Sequence, residues 1–284
     1  MPKRNTLRGF NKISVASFIV GSMVLYLNAY PAQVPFKSYG HLIVARGSID
    51  GLQDLNLVID TGATYTMISK QLCKRLRMKT EKVTVVSWGK EIKVKAGQLQ
   101  DVKIGTFTFN DVQTRVGDLR IAKDLRVDAL IGLDLLKRTG VLIDYEAQVL
   151  TFGSGQDFCQ RAAFYPSLPY VPIHLQVQGK LLTLVLDTGA PHTIFFEEEV
   201  SDRVDIVRTG DRVRIGHAGG NAKLRKVLIN ESGLAATNLE TITAYLMNAS
   251  SAPYGGAAGI LSPVSLKLKR LHINFETRLI SWEL

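Results

Sequence analysis

The sequence predicts a mainly β chain made of two copies of one lobe, and three observations carry that expectation. The stretch LVIDTGATYTMIS, from Leu57 to Ser69, nearly repeats as LVLDTGAPHTIFF from Leu184 to Phe196. Asp60 and Asp187 stand 127 residues apart, and the same offset takes Gly132 of Leu130-Ile131-Gly132 onto Gly259, so each glycine follows its aspartate by 72. Beyond them, IDYEAQVLTF (Ile143–Phe152) and INFETRLISW (Ile273–Trp282) share one pattern. A supersecondary unit recurring at long period marks a duplicated architecture.

In chain order, Met1 to Lys12 holds Lys3, Arg4, Arg8 and Lys12 and no acid, and Ile13 to Tyr30 is an 18-residue stretch without charge. This suits a cleaved secretory signal or a retained signal anchor with residues 1–12 as a basic cytoplasmic tail. As a helix, residues 13–30 reach about 27 Å, barely a hydrocarbon core. No clean Ala-x-Ala site precedes Pro31, which favours the anchor. Either way the remainder is expected outside the cytoplasm, and secreted if the segment is cleaved.

From Phe36 the text reads as strands. His41–Ala45 and Leu55–Ile59 flank a turn at Gly47–Gly51, a hairpin leading into the first Asp-Thr-Gly loop. Ser69–Met78 predicts a short helix capped by Ser69. Val83–Val86 and Glu91–Lys95 bracket Ser87-Trp88-Gly89-Lys90, a hairpin tip. Asp101–Thr108 and Val112–Val116 read as further strands, followed by DALIGLDL from Asp128 to Leu135. The first lobe is thus 36–152. Gly153, Gly155, Pro166 and Pro169 punctuate a linker over 153–169. The second lobe is 170–284, with His174–Gln178 repeating the part of His41–Ala45. Glu197–Glu199 reads as a solvated helix start, where negative charge suits the dipole.

The paired loops resemble the aspartic peptidases of the retropepsin and pepsin clan over roughly 36–284. One Asp-Thr-Gly is a weak signal, whereas two copies in matched apolar context are a strong one. The resemblance implies two homologous lobes of antiparallel sheet, pepsin- or retropepsin-like barrels, with an active-site cleft between them. It implies an aspartic-type endopeptidase in which Asp60 and Asp187 activate a water. Two carboxyl groups about 3 Å apart cannot both ionise, so such a pair keeps one proton and titrates as a unit. One group takes a proton from water while the other gives one to the scissile carbonyl. Gly62 and Gly189 let backbone N–H groups approach the carboxylates, Thr61 and Thr188 are expected to hydrogen-bond across the pseudo-twofold axis, and Ala63 and Ala190 complete the loops. The alternative is a catalytically silent peptide-binding module of the same fold, against which both intact triplets argue.

The resemblance also implies a flap, for which Trp88 and Gly89 are the candidates, and by the offset of 127 Ile215 and Gly216 in a second, glycine-rich hairpin. In the second lobe the hydrophobic-hydrophobic-glycine segment is matched less well, by Ala257-Ala258-Gly259. At 284 residues and 46% hydrophobic content the chain can bury a sizeable core, and its net charge of +10 suits acidic lipid head groups better than nucleic acid, for which no motif is present. The five histidines lack zinc-site spacing, so neither metal nor organic cofactor is expected. Cys73 and Cys159 would be permitted a disulfide in an oxidising compartment. The expected partners are a peptide or protein substrate and, through the N-terminal segment, the membrane, the catalytic unit being a monomer.

Overall fold

Alternation of apolar and polar residues sets the strand faces. In β3 (Leu52–Ile59), Leu55, Leu57, Val58 and Ile59 are fully buried while Gln53 and Asp54 are exposed. In β2 (Leu42–Ile49) and β13 (Lys180–Leu186) the apolar runs sink into the core in the same way. The computed structural model describes residues 32–87, 90–153, 155, 157–165, 168–217, 220–248 and 254–284. The segments 1–12 and 13–30 and the flap candidates Trp88 and Gly89 lie outside the described residues. Among the described residues no helix is long and apolar enough to cross a membrane.

Residues 31–284 form one unit with two sheets, of thirteen and seven strands. The first lobe continues from β1 (Ala32–Tyr39), β2 and β3 through β4 (Met67–Ser69), α1 (Lys70–Arg75), β5 (Glu81–Ser87), β6 (Lys90–Ile104), β7 (Phe107–Gly117), β8 (Ala129–Ile131), α2 (Leu133–Leu136), β9 (Val141–Asp144) and β10 (Val149–Phe152). After β11 (Gln160–Ala163), the second lobe runs through β12 (Pro172–Val177), β13, β14 (Ile194–Phe196), α3 (Glu197–Val200), β15 (Val207–His217), β16 (Gly220–Leu234), β17 (Thr237–Met247), β18 (Gly259–Leu261), β19 (Arg270–Asn274) and β20 (Leu279–Glu283). In each lobe the strand that ends at the aspartate pairs in parallel with a short later strand, β3 with β8 and β13 with β18.

The repeated tails join the lobes. Strands β11, β20, β19, β9, β10 and β1 lie side by side, and β9 pairs antiparallel with β19, Ile143 opposite Leu271 and Val141 opposite Ile273. Ile143, Ile273, Ile280 and Trp282 are at most 1% exposed there. Burying each such side chain contributes about 1.5–3 kcal/mol.

Several expectations need correction. Asp101–Thr108 is not one strand: β6 ends at Ile104, a turn follows, and β7 starts at Phe107. The linker 153–169 contains β11, held by pairing with β20 rather than by any apolar pattern of its own. Glu197 is not solvated, because it meets Arg208 and Arg225 of the neighbouring hairpin. Cys73 and Cys159 are both free.

The repeat itself slips. Ile59 lies opposite Ile131, and its counterpart Leu186 lies opposite Leu261, which is 130 residues beyond Ile131. Gly132 therefore corresponds to Ser262, not Gly259, and the hydrophobic segment of the second lobe is Ile260-Leu261-Ser262 rather than Ala257-Ala258-Gly259. Hydrogen bonds agree: Gly132 N donates to Thr66 Oγ1 at 3.1 Å and Ser262 N to Thr193 Oγ1 at 3.2 Å. Gly259 answers a different need, since a Cβ there would collide with the Ile194 carbonyl. Two of the three extra residues sit in a bulge of β15, where Thr209, Gly210 and Asp211 face the single Lys226 of β16. The β5–β6 pairing has no such shift. Ile215 and Gly216 consequently lie inside β15, opposite Ala222 and Asn221, short of the hairpin turn. Their assignment to the equivalent of the Trp88-Gly89 tip is withdrawn.

Candidate active site

Strands β3 and β13 end by delivering Asp60 and Asp187 into equivalent loops. Asp60 N donates to Ile131 O and Asp187 N to Leu261 O, each at 3.0 Å, so the short parallel strand fixes where each loop begins. Deeper in the first lobe Asp128, 1% exposed, accepts from Asn56 N at 3.0 Å and meets Arg126 Nε at 3.2 Å, anchoring the base of β8 to β3.

The loops interlock through their threonines. Thr61 N donates to Thr188 Oγ1 and Thr188 N to Thr61 Oγ1, both at 3.1 Å. Thr61 Oγ1 in turn donates to Leu186 O at 2.7 Å, and Thr188 Oγ1 to Ile59 O at 3.0 Å. Both threonines are fully buried, so the four bonds exchange no partner with water. Each hydroxyl donates one bond and accepts another, using a capacity that valine lacks.

This grip brings the carboxyls together. A Cβ on Gly62 would overlap the Asp187 carboxyl, and one on Gly189 would stand 2.7 Å from Asp60 Cγ. Each glycine thus lies against the opposite aspartate, an approach that any side chain would block. Gly62 N donates to Asp60 Oδ1 at 2.9 Å and Gly189 N to Asp187 Oδ1 at 2.8 Å. Burial raises the Asp60 pKa against the opposing bond from Gly62. Asp187 is raised well above the ordinary carboxylate value, first by burial and then by the charge of Asp60. A pair of carboxyls that shares one proton is the state that acid–base chemistry on a bound water requires.

Around the loops the lobes differ. Ala63 packs with the cluster of Leu42, Val44 and Val58, and Ala190 with that of Val185 and Tyr245. Beside the first loop the Arg115 guanidinium lies 4.5 Å from the centre of the Tyr65 ring. At the matching place in the second lobe, His192 stacks 4.3 Å from Tyr245. His41, between β1 and β2, lies near His192 and the Gly189 backbone; burial and the His192 charge lower its pKa. Tyr254, before β18, donates to Gly62 O at 3.3 Å.

Sequence reasoning thus named Asp60, Asp187 and the six supporting loop residues, and the structure assembles all eight. It missed His41 as a neighbour of the second loop and Tyr254 altogether; His174–Gln178 does not repeat His41–Ala45, because His174 pairs with Thr183 as Arg46 pairs with Asn56, and so takes the place of Arg46. Among the described residues no group of three His, Cys, Asp or Glu side chains could hold a metal ion.

Residues 45–135 match the model of a family described as aspartyl protease. That span carries Asp60 and its loop, while Asp187 lies beyond it. Among solved structures the chain is similar to a retropepsin-like aspartic protease from Rickettsia conorii, at 22% identity and a TM-score of 0.31, over 42% of this chain and 87% of that one. No curated protein matches.

Proposed function

We propose that this protein is an aspartic endopeptidase in which Asp60 and Asp187 share one proton and activate a water for attack on a peptide bond. The observation that carries the reading is the reciprocal threonine grip, which sets each loop glycine against the other loop's carboxyl. In the proposed step the ionised carboxylate takes a proton from the water while the protonated partner gives its own to the scissile carbonyl oxygen. As the tetrahedral intermediate collapses, the pair gives its proton to the leaving amine and takes one from a hydroxyl of the intermediate, which leaves it singly protonated as at the start. An extended peptide lies between the lobes, held through its main chain. Incubating the protein with a diverse peptide mixture and reading cleavage sites by mass tests this, with Asp60→Ala and Asp187→Ala each removing nearly all cleavage. Binding without turnover would identify the silent module instead.

In the same reading residues 13–30 hold the protein at a membrane, with residues 36–284 extracytoplasmic. The four basic residues before an uncharged stretch support this orientation. A reporter fused after Leu284 that is active only in the cytoplasm would overturn it.

A further inference from the structure

Tyr254 is the residue on which the duplication is silent. It stands between β17 and β18, where the first lobe has Asp124. Its hydroxyl crosses from the second lobe to the Gly62 carbonyl at 3.3 Å. Its ring meets Tyr170 edge-on at 5.6 Å and 76°, and packs on the cluster that contains Val185 and Ala190. Burial, then the charges of Asp187 and Asp60, raise its pKa, so the phenol keeps its proton wherever the dyad titrates.

Gly62 also donates its own N–H to Asp60 Oδ1 at 2.9 Å, so the residue whose carbonyl Tyr254 holds is the one that supports this carboxylate. Tyr254 thereby reaches Asp60 through Gly62, by fixing where that residue sits. In the second loop Gly189 N likewise donates to Asp187 Oδ1, at 2.8 Å. The titratable groups around Tyr254 are Asp60, Asp187 and Tyr170, with His41 and His192 on the Gly189 side.

Resting on the peptidase reading, we propose that Tyr254 is a positioning residue that holds Gly62 from the opposite lobe and keeps the Gly62 N–H directed at Asp60. It touches neither the scissile bond nor the water. Its hydroxyl acts by stabilising ionised Asp60, and its ring acts by fixing the hydroxyl.

Tyr254→Phe deletes the hydroxyl and keeps the ring on Tyr170; Tyr170→Phe is the control. The full-length protein is assayed on one peptide drawn from the cleavage mixture, and its aspartate carboxyls are titrated by carbon NMR after selective labelling. In Tyr254→Phe, kcat falls about two- to tenfold, the worth of one hydrogen bond, with KM unchanged. The acid limb of the pH profile and the lower dyad titration both move to higher pH, because ionised Asp60 has lost support. Tyr170→Phe leaves both in place. Wild-type-like profiles and titrations in Tyr254→Phe overturn the inference, as does a loss of melting temperature with no movement in pH. A wild-type protein that cleaves nothing removes the peptidase reading, and the positioning role in catalysis with it, whatever the titration shows.

Discussion

Replacing Thr61 by valine is the sharpest test of how the lobes are held at the dyad. The change keeps the shape of the side chain and removes its hydroxyl, which donates to Leu186 O and accepts from Thr188 N. Both lost partners lie at a fully buried position. A buried polar group left without a partner costs about 1–3 kcal/mol, so the two together cost about 2–6 kcal/mol. That is a large part of the 5–15 kcal/mol typical of a folded domain. At about 4 kcal/mol the melting temperature falls by about 8–16 °C, taking 2–4 °C per kcal/mol for a unit of this size. Thr188→Val loses Ile59 O and Thr61 N and is expected to cost about as much. Thermal and urea unfolding of the purified protein measure this, with Thr61→Ser as the control that keeps the hydroxyl and loses only a methyl. If valine costs no more than serine, the crossed hydrogen bonds do not hold the loops and the argument from them fails.

The dyad itself makes a stability prediction. Since the folded pair binds a proton more tightly than the unfolded chain, wild-type stability declines as pH rises from about 3.9, the ordinary Asp value, through the raised folded pKa. Asp187→Asn should flatten that decline and raise the melting temperature at neutral pH while abolishing cleavage, and a variant less stable than wild type at neutral pH refutes the stored repulsion. Gly62→Ala puts a methyl into the Asp187 carboxyl, so activity should drop by at least about 100-fold, the scale that misplacement of a catalytic group produces; full activity would mean that the loops are not in contact as described. The pH optimum is expected near 5–6, roughly, because Ala63 and Ala190 offer the pair no side-chain hydroxyl. Ala63→Ser with Ala190→Ser should move both limbs of the profile downward, and a profile that stays or moves upward rejects the alanines as the cause.

The part of the site legible in the sequence is the part where local pattern and function coincide. Leu57–Ile59 and Leu184–Leu186 are buried on all sides, so they read as apolar runs, and Asp-Thr-Gly must follow where the chain turns into the cleft. Ser69 was readable as a cap and accepts from Leu72 N at 3.0 Å. The register of the repeat was readable only in part. Ile143 and Ile273 stand 130 apart, whereas Asp60 and Asp187 stand 127 apart, and that disagreement already marks an insertion between them. The glycine at 259 hid it by falling on the shorter offset for an unrelated reason, its contact with the Ile194 carbonyl. Strand β11 was illegible because Gln160-Arg161-Ala162-Ala163 has no apolar face, and only β20 beside it makes it a strand. Pairing of β9 with β19 joins residues far apart in sequence, and no periodicity within either segment encodes it.

Duplication inside one chain also frees the halves to diverge where an identical pair of subunits could not. The frame around the dyad is kept: the crossed threonines, the glycines against the carboxyls and the short parallel strands all recur. The flanks are not. Position 65 is an exposed tyrosine under the Arg115 guanidinium, while its counterpart His192 stacks on Tyr245, the residue that replaces Arg115. Burial lowers the pKa of His192 and, with the nearby His192 charge, that of His41, so both rings stay neutral to lower pH than an exposed imidazole. The first loop is therefore bordered by a permanent cation and the second by neutral rings over much of the pH range. The two carboxyls thus sit in a symmetric frame between unlike walls, and the difference between the halves lies in those walls rather than in the loops.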